Sequence, residues 1–319
     1  MAETEAVFVT VRRCFAPMEG ITGPTYRRLH RKYYPGLDRY YLPFLSPTGE
    51  HRFTGRSLAQ LDREHPEVPA VPQLLTKSAP DFLWAARQLA DLGFSEVNLN
   101  LGCPSGTVVS KQKGAGMLGN LEALEAFLDE IFRDPPLAVS VKTRIGLRDP
   151  EEWPALLALF CRYPLAELTV HPRTRTEFYK GSVHDDAFQL AYETCPFPLC
   201  CNGNLFSLED VKAAAQRWPR LSGIMAGRGL LADPGLFTGK RDRAVLIAFH
   251  EELAQTYRQG WGTSVALAKM KELWAFLVLG FAENGQLEKA IHKARTWEEL
   301  LSPARELLHN GELLEHIRL

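Results

Sequence analysis

Ser95-Glu96-Val97-Asn98-Leu99-Asn100-Leu101-Gly102-Cys103-Pro104 is the stretch on which the reading of the chain turns. Val97, Leu99 and Leu101 alternate with Asn98 and Asn100, and that period of two predicts a strand over 95–100. Gly102 permits a turn, and Pro104 has no N–H with which to continue regular pairing. Cys103 thus leaves a strand end on a loop, where a thiol is placed to do chemistry. A free cysteine is more commonly a small buried hydrophobe. The Gly-Cys-Pro setting and the neighbouring Asn100 amide weigh against that alternative here. Downstream, Lys111-Gln112-Lys113-Gly114-Ala115-Gly116 is small and basic, a segment able to close over an anion.

The same punctuation recurs on both sides. Strand-like segments fall at 14–18, 39–44, 70–75, 95–100, 137–143, 166–171, 198–202 and 223–226, with helix-like spacing between most of them. Eight such units within about 225 residues predict an α/β fold, a closed (β/α)8 TIM barrel. A doubly wound open sheet is the alternative, weakened because no G-x-G-x-x-G follows the first strand. After Asp233-Pro234-Gly235 the strands stop, and 243–257, 264–281, 287–294 and 296–310 read as helices. The expected organisation is therefore a barrel over 1–238 and a small all-helical C-terminal domain over 239–319.

Composition narrows the class. The chain has 319 residues, 45% of them hydrophobic, which is enough for a substantial core and argues against disorder. A formal net charge of −1 advertises no global basic field for nucleic acid, so any such partner needs a local patch. None of the six cysteines forms a Cys-x-x-Cys pair, and no His/Cys spacing resembles a zinc site, so no metal is expected. The segment MAETEAVFVTVRR lacks the apolar run of a signal peptide, and no stretch of ~20 apolar residues is present. The expectation is a cytoplasmic protein with reduced thiols, a monomer with no membrane partner.

In such a barrel the active site lies at the C-terminal ends of the strands. Those ends carry Pro17-Met18-Glu19, Gln73, Asn100 with Cys103, Lys142 with Arg144, His171 with Arg173, Asn202-Gly203-Asn204 and Gly227-Arg228-Gly229. The mouth is rich in donors and has no paired carboxylates, which disfavours glycosidase chemistry and carboxylate metal sites. The loops after strands 7 and 8 are the usual phosphate site, where glycines let backbone N–H groups approach and Arg228 adds charge. Lys142 and Gln73 then face a polar heterocycle across the mouth. Flavin mononucleotide fits, with a phosphate at one end and a ring edge that wants a positive neighbour as it is reduced.

The motifs together resemble the tRNA-dihydrouridine synthases. The resemblance rests on Ala16-Pro17-Met18-Glu19-Gly20, Pro72-Gln73-Leu74, Asn100-Leu101-Gly102-Cys103-Pro104, Val141-Lys142-Thr143-Arg144, His171-Pro172-Arg173-Thr174-Arg175 with Tyr179-Lys180-Gly181, Asn202-Gly203-Asn204 and Gly227-Arg228-Gly229. They span about residues 14 to 235 in the family's order, and the helical tail matches the family's RNA-recognition domain more loosely. The resemblance implies an FMN-dependent barrel, reduced by NADPH, that reduces the C5–C6 bond of a uridine in tRNA, in the D-loop by expectation. It makes Cys103 the proton donor and Asn100 the residue that holds the base. Pro17, Met18, Glu19, Gln73, Lys142 and His171 match flavin contacts, and Asn202, Gly203, Asn204, Gly227 and Arg228 the phosphate end. Arg173, Tyr179, Lys269 and Lys271 are the expected tRNA contacts.

There are departures. Asn98 stands where the family has Asp, Pro172 where it has Gly, and Gly23 where Asp is common; the Pro-Met-Glu-Gly form leans towards the bacterial C-type subgroup. Arg27, Arg28, Arg31 and Lys32 form a basic cluster on the first expected helix, and Lys111, Lys113, Arg173, Arg175 and Lys180 a second around the mouth. Two other functions stand beside the first: a flavin oxidoreductase of a free pyrimidine, similar to dihydroorotate or dihydropyrimidine dehydrogenases, and a non-catalytic RNA-binding barrel.

Overall fold

The computed structural model describes residues 11–317 apart from 63, 240, 284 and 316, so most of the segment read for a signal peptide lies outside the described residues. In chain order the barrel elements are β1 (Arg12–Phe15), α1 (Pro24–Tyr33), β2 (Arg39–Tyr41), β3 (Ala70–Val71), β4 (Gln73–Leu74), α2 (Ala79–Asp91), β5 (Glu96–Leu101) and α3 (Leu121–Ile131). They continue as β6 (Ala138–Arg144), α4 (Trp153–Phe160), β7 (Leu168–His171), α5 (Asp185–Thr194), β8 (Leu199–Asn202), α6 (Leu208–Arg217), β9 (Gly223–Ala226) and α7 (Arg228–Ala232).

The strands run in the order β3-β2-β1-β9-β8-β7-β6-β5-β4, and every pair is parallel. The two ends of that order, β3 and β4, are halves of the single third strand expected over 70–75. Pro72 divides them because it has no N–H to give to a ladder. Its carbonyl still accepts from Asn98 N at 2.8 Å, while Val71 O and Gln73 O accept from Leu42 N and Leu45 N at 2.9 and 2.7 Å. Chain continuity through Pro72 thereby joins the sheet's two edges and closes the barrel. The open-sheet alternative falls on this topology.

Burial explains the alternation in β5. Val97, Leu99 and Leu101 are buried, but so are Asn98 and Asn100. One set packs under the helices and the other faces the barrel interior, where polar side chains pair with one another. Register brings Gln73 opposite Asn98, Asn98 opposite Ser140 and Asn100 opposite Lys142. Lower in the barrel, Glu167 accepts from Tyr41 Oη at 3.0 Å and Ser222 Oγ at 2.6 Å and pairs with Arg12. Between these polar layers, Cys14, Ala16, Tyr41, Val71, Cys200 and Met225 form an apolar cluster separate from the main core.

The tail follows as α8 (Arg243–Leu277), α9 (Gly285–Lys293) and α10 (Trp297–Asn310). α8 is two helical segments joined at Gly262, whose φ of 76° and ψ of 167° interrupt the spiral between the two helices read from sequence. Its first segment lies on α1, with Phe249 edge-on to Tyr26 and Tyr34 at centroid distances of 5.6 Å. α10 begins after Thr296, whose hydroxyl accepts from Glu299 N while the Glu299 side chain returns the contact, a capping box. One apolar core runs without interruption from barrel to tail. No helix among the described residues is long and apolar enough to cross a membrane.

Candidate active site

A cavity of about 450 Å³ opens at the C-terminal ends of the strands. Its wall includes Pro17, Met18, Glu19, Gln73, Asn100, Cys103, Lys142, His171, Tyr179, Asn202, Gly203, Asn204, Gly227 and Arg228. Residues spaced over more than two hundred positions meet there because each stands at or just past a strand end, the one face of this fold where loops converge.

Cys103 sits on a turn held from below. Asn100 Oδ1 accepts from Gly102 N at 3.0 Å and from Cys103 N at 2.9 Å. Burial is the main influence on the thiol and pushes it up, so it is protonated at neutral pH. Such a thiol is a proton donor rather than a nucleophile poised as thiolate. Lys142 is pushed down to about 8, chiefly by burial and then by nearby Arg144. It carries its charge near neutrality at a desolvation cost that an anionic or electron-rich ligand would relieve. Burial, followed by Arg144 and Lys142, holds His171 well below the usual histidine range. The ring is neutral, and because the Arg173 guanidinium donates to Nε2 at 3.1 Å, its proton is on Nδ1.

The loops after β8 and β9 are shaped by glycine. Gly203 has a φ of 127°, and a Cβ there would lie 3.0 Å from the His171 ring. At Gly229 a Cβ would meet Leu205 O at 2.0 Å, so the loops after β8 and β9 touch through bare backbone. Asn202 Nδ2 donates to Met225 O at 2.7 Å, and Asn204 Oδ1 accepts from Arg173 at 2.9 Å. Tyr179, 44% exposed, stands between Arg228 and Arg144, whose guanidinium carbons are 4.5 and 5.2 Å from its ring centre.

Arginines brace the rim. Arg144 donates to Gly102 O at 3.0 Å, Thr174 O at 2.8 Å and Phe178 O at 2.7 Å, tying the cysteine turn to the Tyr179 loop. Arg175 does the same to Pro104 O at 3.2 Å. The expectation that Arg173 touches tRNA is corrected: it is 1% exposed, and its guanidinium is spent on Lys180 O, Gly181 O, His171 and Asn204. Lys271 donates to Ala294 O at 2.8 Å within the tail, away from the cavity wall. Lys269 also lies off the wall, donating to Gly20 O at 3.1 Å with its ammonium 4.5 Å from the Trp261 ring centre. The α1 cluster is not a free basic face either: Arg27 is buried against Thr22 O and Gln60 O, and Lys32 pairs with Glu252.

Sequence reasoning left Arg144 outside the site set and did not anticipate the apolar lining from Phe178, Phe206 and Phe276. Arg144 had a signal, its strand-end position two residues past Lys142. Phe276, in the second segment of α8, had none, since only the packed tail brings it to the mouth.

A family profile described as dihydrouridine synthase (Dus) matches residues 14–307. The chain belongs to the dihydrouridine synthase family. Curated relatives within it include a probable tRNA-dihydrouridine synthase 1 from Synechocystis sp., 29% identical over 76% of this chain and 70% of that protein. A probable tRNA-dihydrouridine synthase from Staphylococcus epidermidis is 26% identical over 93% of this chain and 92% of its own. A probable tRNA-dihydrouridine synthase 2 from Bacillus subtilis is 30% identical over 70% of each. In this dihydrouridine synthase the match runs through the barrel and most of the helical tail.

Proposed function

We propose that the cavity binds FMN, that NADPH reduces it, and that Cys103 supplies the proton completing reduction of a uridine C5–C6 bond in tRNA. As a member of its family the chain is a tRNA-dihydrouridine synthase, an oxidoreductase. The observation that carries the mechanism is a protonated thiol in the wall of the same cavity that gathers Lys142, Arg228 and the Asn202–Asn204 loop.

The residues fit the cofactor. The cavity is in the size range of cofactor pockets, and its wall combines apolar surface with cations and glycine-lined loops. Arg228 and the backbone at Gly203 and Gly227 would hold the phosphate; Pro17, Met18, Gln73, Lys142 and His171 would hold the ring. When bound, the reduced flavin supplies hydride to C6 of the uracil. Lys142 places positive charge beside the ring edge, and neutral His171 offers a donor without adding charge. Asn100 aligns the target base and fixes the cysteine turn; Cys103 holds its proton at Sγ and delivers it to C5. Exposed Tyr179 and Phe178 offer stacking surfaces at the mouth for a base drawn out of its stack, and Lys269 a cation beyond it. The reading keeps the enzyme in the cytoplasm, with tRNA and NADPH.

Replacing Cys103 with Ala tests it. Dihydrouridine formation in tRNA is expected to vanish while the protein stays yellow with bound flavin. Full activity of that variant would remove Cys103 from the proton-donor role. Turnover of free uracil at tRNA-like efficiency would replace the substrate assignment with a free pyrimidine.

A further inference from the structure

The barrel interior contains a hydrogen-bond chain that ends beneath the site. Arg39 Nη1 donates to Glu96 Oε2 at 2.8 Å, and Ser140 Oγ donates to Glu96 Oε1 at 2.7 Å. Asn98 Nδ2 donates to Ser140 Oγ at 2.9 Å, Gln73 Nε2 to Asn98 Oδ1 at 2.8 Å, and Asn100 Nδ2 to Gln73 Oε1 at 2.7 Å. Asn100 Oδ1 then accepts the backbone N–H groups of Gly102 and Cys103. Asn98, Ser140 and Glu96 are absent from the cavity wall, whereas Gln73 and Asn100 belong to it.

The chain runs one way, and the reason is chemical. An ionised carboxylate only accepts, so the Ser140 hydroxyl must point its hydrogen at Glu96. Its lone pair is then left for an amide N–H, which forces Asn98 to turn Nδ2 down and Oδ1 up. Gln73 must answer with Nε2, so its oxygen faces Asn100, and Asn100 must answer with Nδ2. Each site amide thus commits its oxygen and one N–H within the protein. Each keeps one N–H uncommitted.

We propose that Glu96, Ser140 and Asn98 are positioning residues that set the orientation of the Gln73 and Asn100 amides, so that the cavity floor presents donors to a ligand edge made of acceptors. The chemical class that suits such a floor is a heterocycle whose carbonyl oxygens and ring nitrogens gain negative charge on reduction. In naming the flavin as that ligand the inference rests on the cofactor reading above.

The test uses the full-length protein with selectively labelled Asn and Gln side chains. In the wild type, the side-chain amide protons of Gln73 and Asn100 that lie within the chain are expected to be shifted and protected from exchange. Ser140→Ala and Asn98→Leu should release the Gln73 amide and weaken FMN binding about three- to tenfold, the size of one hydrogen bond. The same variants should lower the preference for reduced over oxidised flavin by a similar factor. Asn98→Asp still accepts from Gln73, and the Ser140 hydroxyl can turn its hydrogen from Glu96, which keeps Arg39, to the new carboxylate, so this variant should retain the protected Gln73 signal and the preference for reduced flavin; a role in packing alone would not separate Asp from the similarly sized Leu. Wild-type-like amide signals and flavin preference in both Ser140→Ala and Asn98→Leu would overturn the proposal, as would an Asp variant as impaired as the Leu one. If FMN fails to bind the wild type, the cofactor reading fails, and the amide signals alone decide the chain.

Discussion

Lys142 carries a heavy electrostatic load in the cavity wall. Burial carries it from the ordinary lysine value of 10.5 to about 8, a penalty of roughly 3 kcal/mol on the charged form. The unfolded chain binds the proton more tightly, so the penalty is complete below pH 8 and fades as pH rises from there towards 10.5. Lys142→Met should therefore raise the melting temperature of the flavin-free protein at pH 7 while weakening FMN binding at least tenfold; a lower melting temperature would contradict the desolvation account. Most of the polar residues in the cavity wall were legible because a polar residue at the end of an apolar strand stands out against its neighbours. Arg173 was misread for the same reason. In sequence a basic residue on a mouth loop looks available, and only the surrounding carbonyls of Lys180 and Gly181 reveal that it is consumed. Asn98 was read as a departure from the family's Asp within a strand, but its partners Gln73 and Ser140 were not foreseen, because they come from adjacent strands far away in the chain.

At the scale of elements, the strand-to-loop junction after β8 combines a left-handed backbone with a close side-chain neighbour. Gly203→Ala places a Cβ at a φ of 127° and 3.0 Å from His171, so two penalties fall together. A loss of about 1–3 kcal/mol is expected, read by thermal or urea unfolding, with weaker FMN binding because the displaced neighbour is itself in the wall. Unchanged stability would mean that the loop relaxes and that the left-handed backbone there is not required. Strand and helix positions followed from periodicity, and the alternation of eight units indicated the barrel. The break at Pro72 was not anticipated, although proline is its cause. A strand that closes a barrel needs only partial pairing on each side, and a single sequence does not say which strand has that duty. The interruption at Gly262 falls in the gap between the helices read at 243–257 and 264–281, where the apolar periodicity lapses.

For the whole molecule, acid should act through buried histidine. His30 lies where α1 meets β2, the segment after α7 and the tail; it accepts from Tyr40 Oη at 2.9 Å and donates to Pro234 O at 3.0 Å. Burial takes it from 6.5 to about 3. In the unfolded chain it protonates below pH 6.5, so stability drains away as pH falls from 6.5 towards 3, by up to about 1.4 kcal/mol per pH unit. His171 contributes in the same direction. His30→Gln should flatten the acid limb of the unfolding curve whatever it does to stability at pH 7, and a limb of unchanged steepness would assign acid sensitivity elsewhere. The location of Phe276 carries a consequence for how this architecture can diverge. A helix of the C-terminal tail contributes to the wall of the cavity proposed to hold the flavin, so the two halves are not independent modules. Grafting another relative's tail onto this barrel would therefore reshape the pocket as well as any surface the tail offers to tRNA, so on the proposed reading substrate choice could not drift without touching the chemistry.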